Sequence, residues 1–153
     1  MAGDGGALRE GRARAIGVSN FQANHLHRLA DEATVVPAVN QVELHPSFGQ
    51  ADLREAHAAM GVVTEAWALL GQGSELAAPS VTEIAGRIGR TPAQVIVRWH
   101  VQLGNVVFPK SVTRSRIEEN YRVFDFELDE SDMASISGLD AGNRLGPDPD
   151  GFN

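Results

Sequence analysis

Short apolar runs alternate with amphipathic stretches along the chain. Arg14-Ala15-Ile16-Gly17-Val18 reads as a strand ending in Ser19-Asn20, either of which can cap a following helix with Leu26, Leu29, Ala30 and Ala33 on one face. Ala38-Val39-Asn40-Gln41-Val42-Glu43-Leu44 is a second strand, closed by His45-Pro46. Leu53, Ala56 and Met60 then mark a helix stopped by Gly61. Val62 to Trp67 is a third strand, followed by the turn Leu70-Gly71-Gln72-Gly73. Ser80-Val81-Thr82-Glu83 and Thr91-Pro92-Ala93-Gln94 both have the form of capping boxes, so two helices are expected, ended by Gly89 and Gly104. Val106 to Pro109 is a fourth strand, Thr113 can cap a helix through Tyr121, and Leu128 to Asp132 opens a last short helix. Residues 142–153 read as loop.

Strands separated by helices cannot be hairpins. They should lie parallel with right-handed crossovers, which makes this an α/β protein. In such sheets ligands bind beyond the carboxyl ends of the strands. Those ends carry Ser19-Asn20, Asn40-Gln41, Trp67 and Lys110-Ser111, a grouping more informative than any one of them, since strand-end polar residues are also ordinary caps.

At 153 residues, 42% of them apolar, the expected organisation is one compact domain. A net charge of −7 leaves no broad basic footprint for nucleic acid. Without cysteine there are no disulfides, thiolate metal sites or cysteine nucleophiles. No apolar window reaches the length of a membrane span, and the first fifteen residues lack the apolar run of a signal peptide, so a cytoplasmic location is expected. Gly71-x-Gly73 starts like a dinucleotide fingerprint but has Leu76 where the third glycine belongs, and no glycine-rich run precedes Lys110. The histidines show no helical metal spacing, so no metal site is expected. Glu43 and His45 share a strand face, either as a proton relay or, the plainer reading, as a buried pair supporting the wall before Pro46. Ser74 and Ser111 lack a local base.

Twelve of the thirteen basic residues are arginine; the single lysine is Lys110. From Pro109 to Arg116 a strand ends, an ammonium and two hydroxyls follow, and a helix begins whose free amides and dipole favour an anion. Arg116 lies one turn in, where its fork can reach the same anion. The absence of an acid before Glu118 favours an anionic ligand over a helix start that is basic by accident.

Taken together, Gly17-Val18-Ser19-Asn20-Phe21, Asn40-Gln41-Val42-Glu43-Leu44-His45-Pro46, Trp67 to Gly73, and Lys110-Ser111-Val112-Thr113 with Arg116, Glu119 and Asn120 resemble the aldo-keto reductases. Glu65-Ala66-Trp67, Gly71-Gln72-Gly73 and Trp99-His100 look most like bacterial members of the 2,5-diketo-D-gluconate reductase type. The resemblance implies a (β/α)₈ TIM barrel, a fold of about 250 residues, of which this chain matches the second half, strands five to eight. It implies that Ser19, Asn20 and Gln41 bind the nicotinamide carboxamide of NADP(H), that Trp67 stacks on the nicotinamide, and that Leu70, Gly71, Gln72 and Gly73 approach the pyrophosphate. Lys110, Ser111, Thr113 and Arg116 would hold the 2′-phosphate, with Val112 in the same cofactor-binding segment, and Glu119 and Asn120 would contact adenine. Ala68-Leu69 and Arg114 depart from the family pattern, which has a small residue plus proline at the first place and commonly proline at the second.

The family's catalytic aspartate, tyrosine, lysine and histidine come from the barrel's first half, so no catalytic residue is named in this chain. The expected activity by ancestry is reduction of a small aldehyde or ketone. The other readings are a non-catalytic dinucleotide-binding or assembly module that self-associates through exposed barrel edges, and a barrel enzyme acting on a phosphorylated metabolite.

Overall fold

The computed structural model describes residues 4–151. In chain order the elements are α1 (Asp4–Arg9), β1 (Gly17–Ser19), α2 (Ala23–Glu32), β2 (Val39–Glu43), α3 (Ala51–Met60), β3 (Val63–Trp67), a 3₁₀ segment (Gly71–Ala77), α4 (Pro79–Ile88), α5 (Pro92–Gln102), β4 (Val106–Val107), α6 (Arg114–Tyr121), α7 (Glu130–Ser137) and a 3₁₀ turn (Pro149–Gly151). The strands form one sheet in the order β1-β2-β3-β4, with β1 and β2 parallel and Gly17, Val18 and Ser19 opposite Val39, Asn40 and Gln41. An α/β protein with sequential strands is what helix-separated apolar runs require. The described residues include no helix long and apolar enough to cross a membrane.

The chain divides into two compact units. One comprises the chain up to Val42, Gln50–Glu65 and the tail from Gly146. Its interior holds Leu26, Leu29 and Val42 with the polar side chains of Asn40, His57 and Thr64. The other comprises Glu43–Gly49 and Ala66–Leu145. Here α5 supplies the core, burying Val95, Ile96, Val97 and Trp99, while Val81, Ile84 and Ala85 come from α4 and Ile136 from α7. The Trp99 indole N–H donates to Ser137 Oγ at 3.0 Å, which satisfies the one polar atom of the largest buried side chain.

The termini show which local signals operate. Thr91 and Gln94 form the expected reciprocal box: Gln94 N donates to Thr91 Oγ1 at 3.2 Å and Thr91 N to Gln94 Oε1 at 3.1 Å. Asp129 caps α7 by accepting from Asp132 N at 2.8 Å. Gly61 and Gly89 end their helices in the left-handed conformation.

Two expected caps are corrected, and a third keeps its position without the expected bond. Pro79 takes the first position of α4, so Ala78 is its cap, and Ser80 lies inside the helix with its hydroxyl buried and without a partner. At α2 neither Ser19 nor Asn20 is the cap. Asn20 adopts a left-handed φ of 57°, which delays the helix to Gln22, whose N–H is accepted by His25 Nδ1 at 3.1 Å. Thr113 occupies the cap position of α6 without a side-chain cap bond; its own N–H goes to Ser111 Oγ at 3.2 Å.

Candidate cofactor site

In the first unit, the β1–β2 register brings Ser19 directly opposite Gln41. Ser19 Oγ donates to Gln41 O at 3.1 Å, and Asn20 N donates to the same oxygen at 2.8 Å. The Gln41 side-chain amide donates to Glu65 Oε1, so a neighbouring carboxylate fixes its orientation. Behind this edge sits an assembly that the sequence did not disclose. Asn40, fully buried, accepts from Phe21 N at 3.3 Å and donates to Phe21 O at 2.7 Å, clamping the backbone just past Asn20. Asn40 Nδ2 also meets His57 Nε2 at 2.9 Å, and His57 Nδ1 meets Thr64 Oγ1 at 2.8 Å. An amide NH₂ can only donate, so Nε2 accepts and the imidazole proton is on Nδ1, given to Thr64. Burial holds the His57 pKa below its usual 6.5, in keeping with this neutral ring. The signal available beforehand was weak: a histidine on the apolar face of α3, seventeen residues from its partner.

In the second unit, Trp67 ends β3 half-buried, with its carbonyl accepting from Leu44 N at 3.2 Å. The backbone then turns sharply. Ala68 (φ 55°), Gly71 (54°), Gln72 (54°) and Gly73 (101°) are all left-handed. For the non-glycine residues Ala68 and Gln72 this costs about 1–2 kcal/mol each, a strain that only surrounding contacts can maintain. Ser74 Oγ closes the turn onto Gly71 O at 2.7 Å, while Gln72 and Gly73 are exposed.

The segment after β4 presents Lys110, Val112, Thr113 and Arg116 to solvent, with Ser111, Glu119 and Asn120 partly covered. No acid stands in the first turn of α6. Arg114 pairs with Glu118 at 2.9 Å, whereas Lys110 and Arg116 form no ion pair among the described residues. Two uncommitted cations, two hydroxyls and an unopposed helix start fit a dianionic phosphate. Glu119 is tied back to α5: its Oε1 accepts from Thr91 Oγ1 at 2.6 Å and its backbone O accepts from Gln94 Nε2 at 3.1 Å, leaving its other carboxylate oxygen for a ligand. Beside α6 an open, largely apolar groove of about 600 Å³ is lined by Val97, Val101, Val107, Ile117 and Tyr121, with Pro109 and Asn120 of the same corner on its wall.

The His45 surroundings decide between the two readings of Glu43 and His45. Both are completely buried, as a structural pair, and Glu75 joins them from the 3₁₀ segment. Among the described residues no group of three His, Asp or Glu side chains is arranged to hold a metal ion.

The sequence model of the Aldo/keto reductase family matches residues 6–141. The chain belongs to this family. It is 62% identical over 147 residues to an aldo-keto reductase of Mycobacterium sp. (strain KMS), an alignment covering 95% of this chain and 53% of that protein. It is 48% identical over 146 residues to methylglyoxal reductase DkgA of Escherichia coli (strain K12), covering 94% and 53%. Among solved structures, a mutant of Gox0644 in complex with NADPH superposes with a TM-score of 0.93 at 46% identity, covering 97% of this chain and 55% of that one. The NADPH complex of the aldo-keto reductase AKR2E5 gives 0.87 at 35%, covering 94% and 47%. The chain therefore spans about half the length of the aldo-keto reductases it matches.

Proposed function

We propose that this chain is the cofactor-binding part of an NADPH-dependent aldehyde or ketone reductase, corresponding to strands five to eight of a (β/α)₈ barrel and akin to the 2,5-diketo-D-gluconate reductase type. The observation that carries the reading is the corner at the start of α6, where among the described residues Lys110 and Arg116 form no ion pair while Arg114, between them, is paired with Glu118. Lys110, Ser111, Thr113 and Arg116 hold the 2′-phosphate, with Val112 in the same segment, and Glu119 and Asn120 face adenine. Leu70, Gly71, Gln72 and Gly73 approach the pyrophosphate, and Trp67 stacks on the nicotinamide. In the other unit Ser19, Asn20 and Gln41 are assigned to the carboxamide. Bound NADPH supplies a hydride donor; these residues bind and orient it. The lone tyrosine, Tyr121, ends α6 and the lone lysine, Lys110, lies four residues ahead of that helix in the proposed phosphate corner, so neither is assigned as proton donor, and no residue here is assigned a catalytic role.

Losing charge-assisted bonds to a phosphate costs about 1.5–3 kcal/mol each, so NADPH should bind at least tenfold more tightly than NADH. Titration of the chain should quench tryptophan fluorescence with NADPH and much less with NADH, and the Trp67→Phe variant should lose most of the signal. Equal quenching by the two cofactors, or none, refutes the reading.

A second reading, an assembly half-barrel, is favoured by one feature of the second unit. Phe108, Val112, Ile117, Tyr121 and Phe124, all in the segment 108–124, are all more than half exposed, and exposed apolar side chains gathered in one segment are the kind of surface a partner covers. Sedimentation velocity should show a concentration-dependent dimer; a monomer up to about 100 µM, weaker than a specific micromolar contact, removes this reading.

A further inference from the structure

The positioning of the Gly71–Gly73 turn is unexplained by anything in the turn itself. Four of its backbone residues from Ala68 to Gly73 are left-handed, and its internal bonds, Gly71 N to Ala68 O at 2.7 Å and Gly73 N to Leu70 O at 2.8 Å, are local. At its start the turn is held to the rest of the second unit by Leu69, whose side chain packs with Val97 and Val123 and whose carbonyl lies 3.3 Å from His100 Nε2. Past Gly71 the polar tie is the Glu75 side chain. A Cβ placed on Gly71 would lie 2.6 Å from Glu75 Cγ and 2.7 Å from Glu75 Oε1, so the carboxylate arm passes against the glycine at a distance only glycine permits. Beyond Gly71 the carboxylate enters a buried polar cluster. Glu75 Oε1 lies 3.2 Å from His45 Nδ1 and accepts the hydroxyl of Ser47, whose Oγ is also 3.2 Å from that nitrogen. The opposite ring nitrogen, Nε2, is 3.1 Å from Glu43 Oε1, which also accepts Leu145 N. Glu43 and His45 have no exposed surface and Glu75 has 5%.

Burying two carboxylates against one imidazole is a costly way to fill space, because each needs its hydrogen bonds satisfied. Apolar side chains would cover the same volume without fixing a direction. A carboxylate with defined partners accepts one geometry, and Glu75 is four residues from the glycine it touches.

We infer that the Glu43–His45–Ser47–Glu75 cluster is a positioning device that sets the Gly71–Gly73 turn and thereby how tightly the chain grips the pyrophosphate of a dinucleotide. The inference rests on the cofactor reading above. Glu75 and His45 are positioning residues: they act through the backbone of the turn and touch no ligand.

The test compares two probes on the full chain. NADPH spans the turn and the Lys110–Asn120 corner, whereas adenosine 2′,5′-bisphosphate reaches the corner and lacks the pyrophosphate-linked nicotinamide half. Glu75→Gln and the milder Ser47→Ala should weaken NADPH about tenfold, one decade of Kd, and leave the bisphosphate within about twofold. Hydrogen exchange should quicken at the amides of residues 71–77 in both variants and stay unchanged in α5. If the Glu75 variant does not fold by circular dichroism, the Ser47 variant alone decides. Unchanged NADPH affinity in a folded variant overturns the inference, as does parallel loss of both probes, which is what a general structural role would give. A wild-type chain that binds the bisphosphate but gains nothing from the rest of NADPH overturns it while leaving the corner intact. A wild-type chain that binds neither probe refutes the cofactor reading and this inference with it.

Discussion

Replacing Gly17 with alanine should separate the β1–β2 edge. An added Cβ would lie 2.4 Å from Val39 Cγ1, well inside the carbon–carbon contact distance of about 3.5–4.0 Å, and 3.0 Å from Val39 O, a tight approach to the backbone. Val39 cannot simply turn away, because a β-branched side chain has few accessible rotamers, and its carbonyl belongs to the strand. Either the side chain leaves its well or β1 moves off β2, straining the bonds Asn20 N to Gln41 O and Ala38 N to Ile16 O. Overpacking of this kind costs about 1–3 kcal/mol. At about 2–4 °C per kcal/mol for a chain of this size, the melting temperature should fall by several degrees. Truncating Val39 to alanine removes the nearer clash and leaves the carbonyl contact. The double variant should therefore recover at least half of the Gly17→Ala loss, a coupling of about 1 kcal/mol in a double-mutant cycle followed by urea unfolding. Because Ser19 and Gln41 share this register, NADPH affinity should fall with stability and recover with it. A Gly17→Ala chain within about 0.5 kcal/mol of wild type, the range of ordinary surface substitutions, would refute the register argument, as would strict additivity with Val39→Ala.

Three other outcomes follow from the same geometry. Since the His57 pKa is lowered by burial, the unfolded chain binds more protons than the folded one below pH 6.5. Stability should therefore be full at neutral pH and fall as the pH drops through that value, and His57→Gln should flatten this slope in urea titrations across pH 5–8. Lys110→Met and Arg116→Met should each weaken NADPH about 10- to 100-fold while changing NADH by less than about threefold, measured by fluorescence titration; equal effects on both cofactors would remove the 2′-phosphate assignment. Trp99→Ala should cost about 3–5 kcal/mol, and Ser137→Ala, which leaves the buried indole N–H unpaired, about 1–3 kcal/mol, both read by chemical denaturation.

Much of this protein was decided by local chemistry and so was legible in the chain. Apolar runs separated by helical patterns dictate an α/β sheet whatever the loops do. The Thr91 box, the Asp129 cap and the glycines at 61 and 89 act within one helical turn, so their residue types suffice. The basic corner from Lys110 to Arg116 is likewise contiguous, and its chemistry travels with its sequence. Local signals failed where a neighbour a few residues away competed: Pro79 displaced Ser80 as the start of α4, and the left-handed Asn20 moved the start of α2 to Gln22.

What only the tertiary structure decided are the partnerships between distant residues. Nothing in the sequence joins Asn40 to His57 and Thr64, or His45 to Glu75 thirty residues on. Nor does it reveal that, among the described residues, Arg114 is ion-paired while Lys110 and Arg116 are not. The reason is physical: a cap or a turn is selected by the backbone beside it, whereas the worth of a buried carboxylate or imidazole depends on which groups the folded chain places within 3 Å of it.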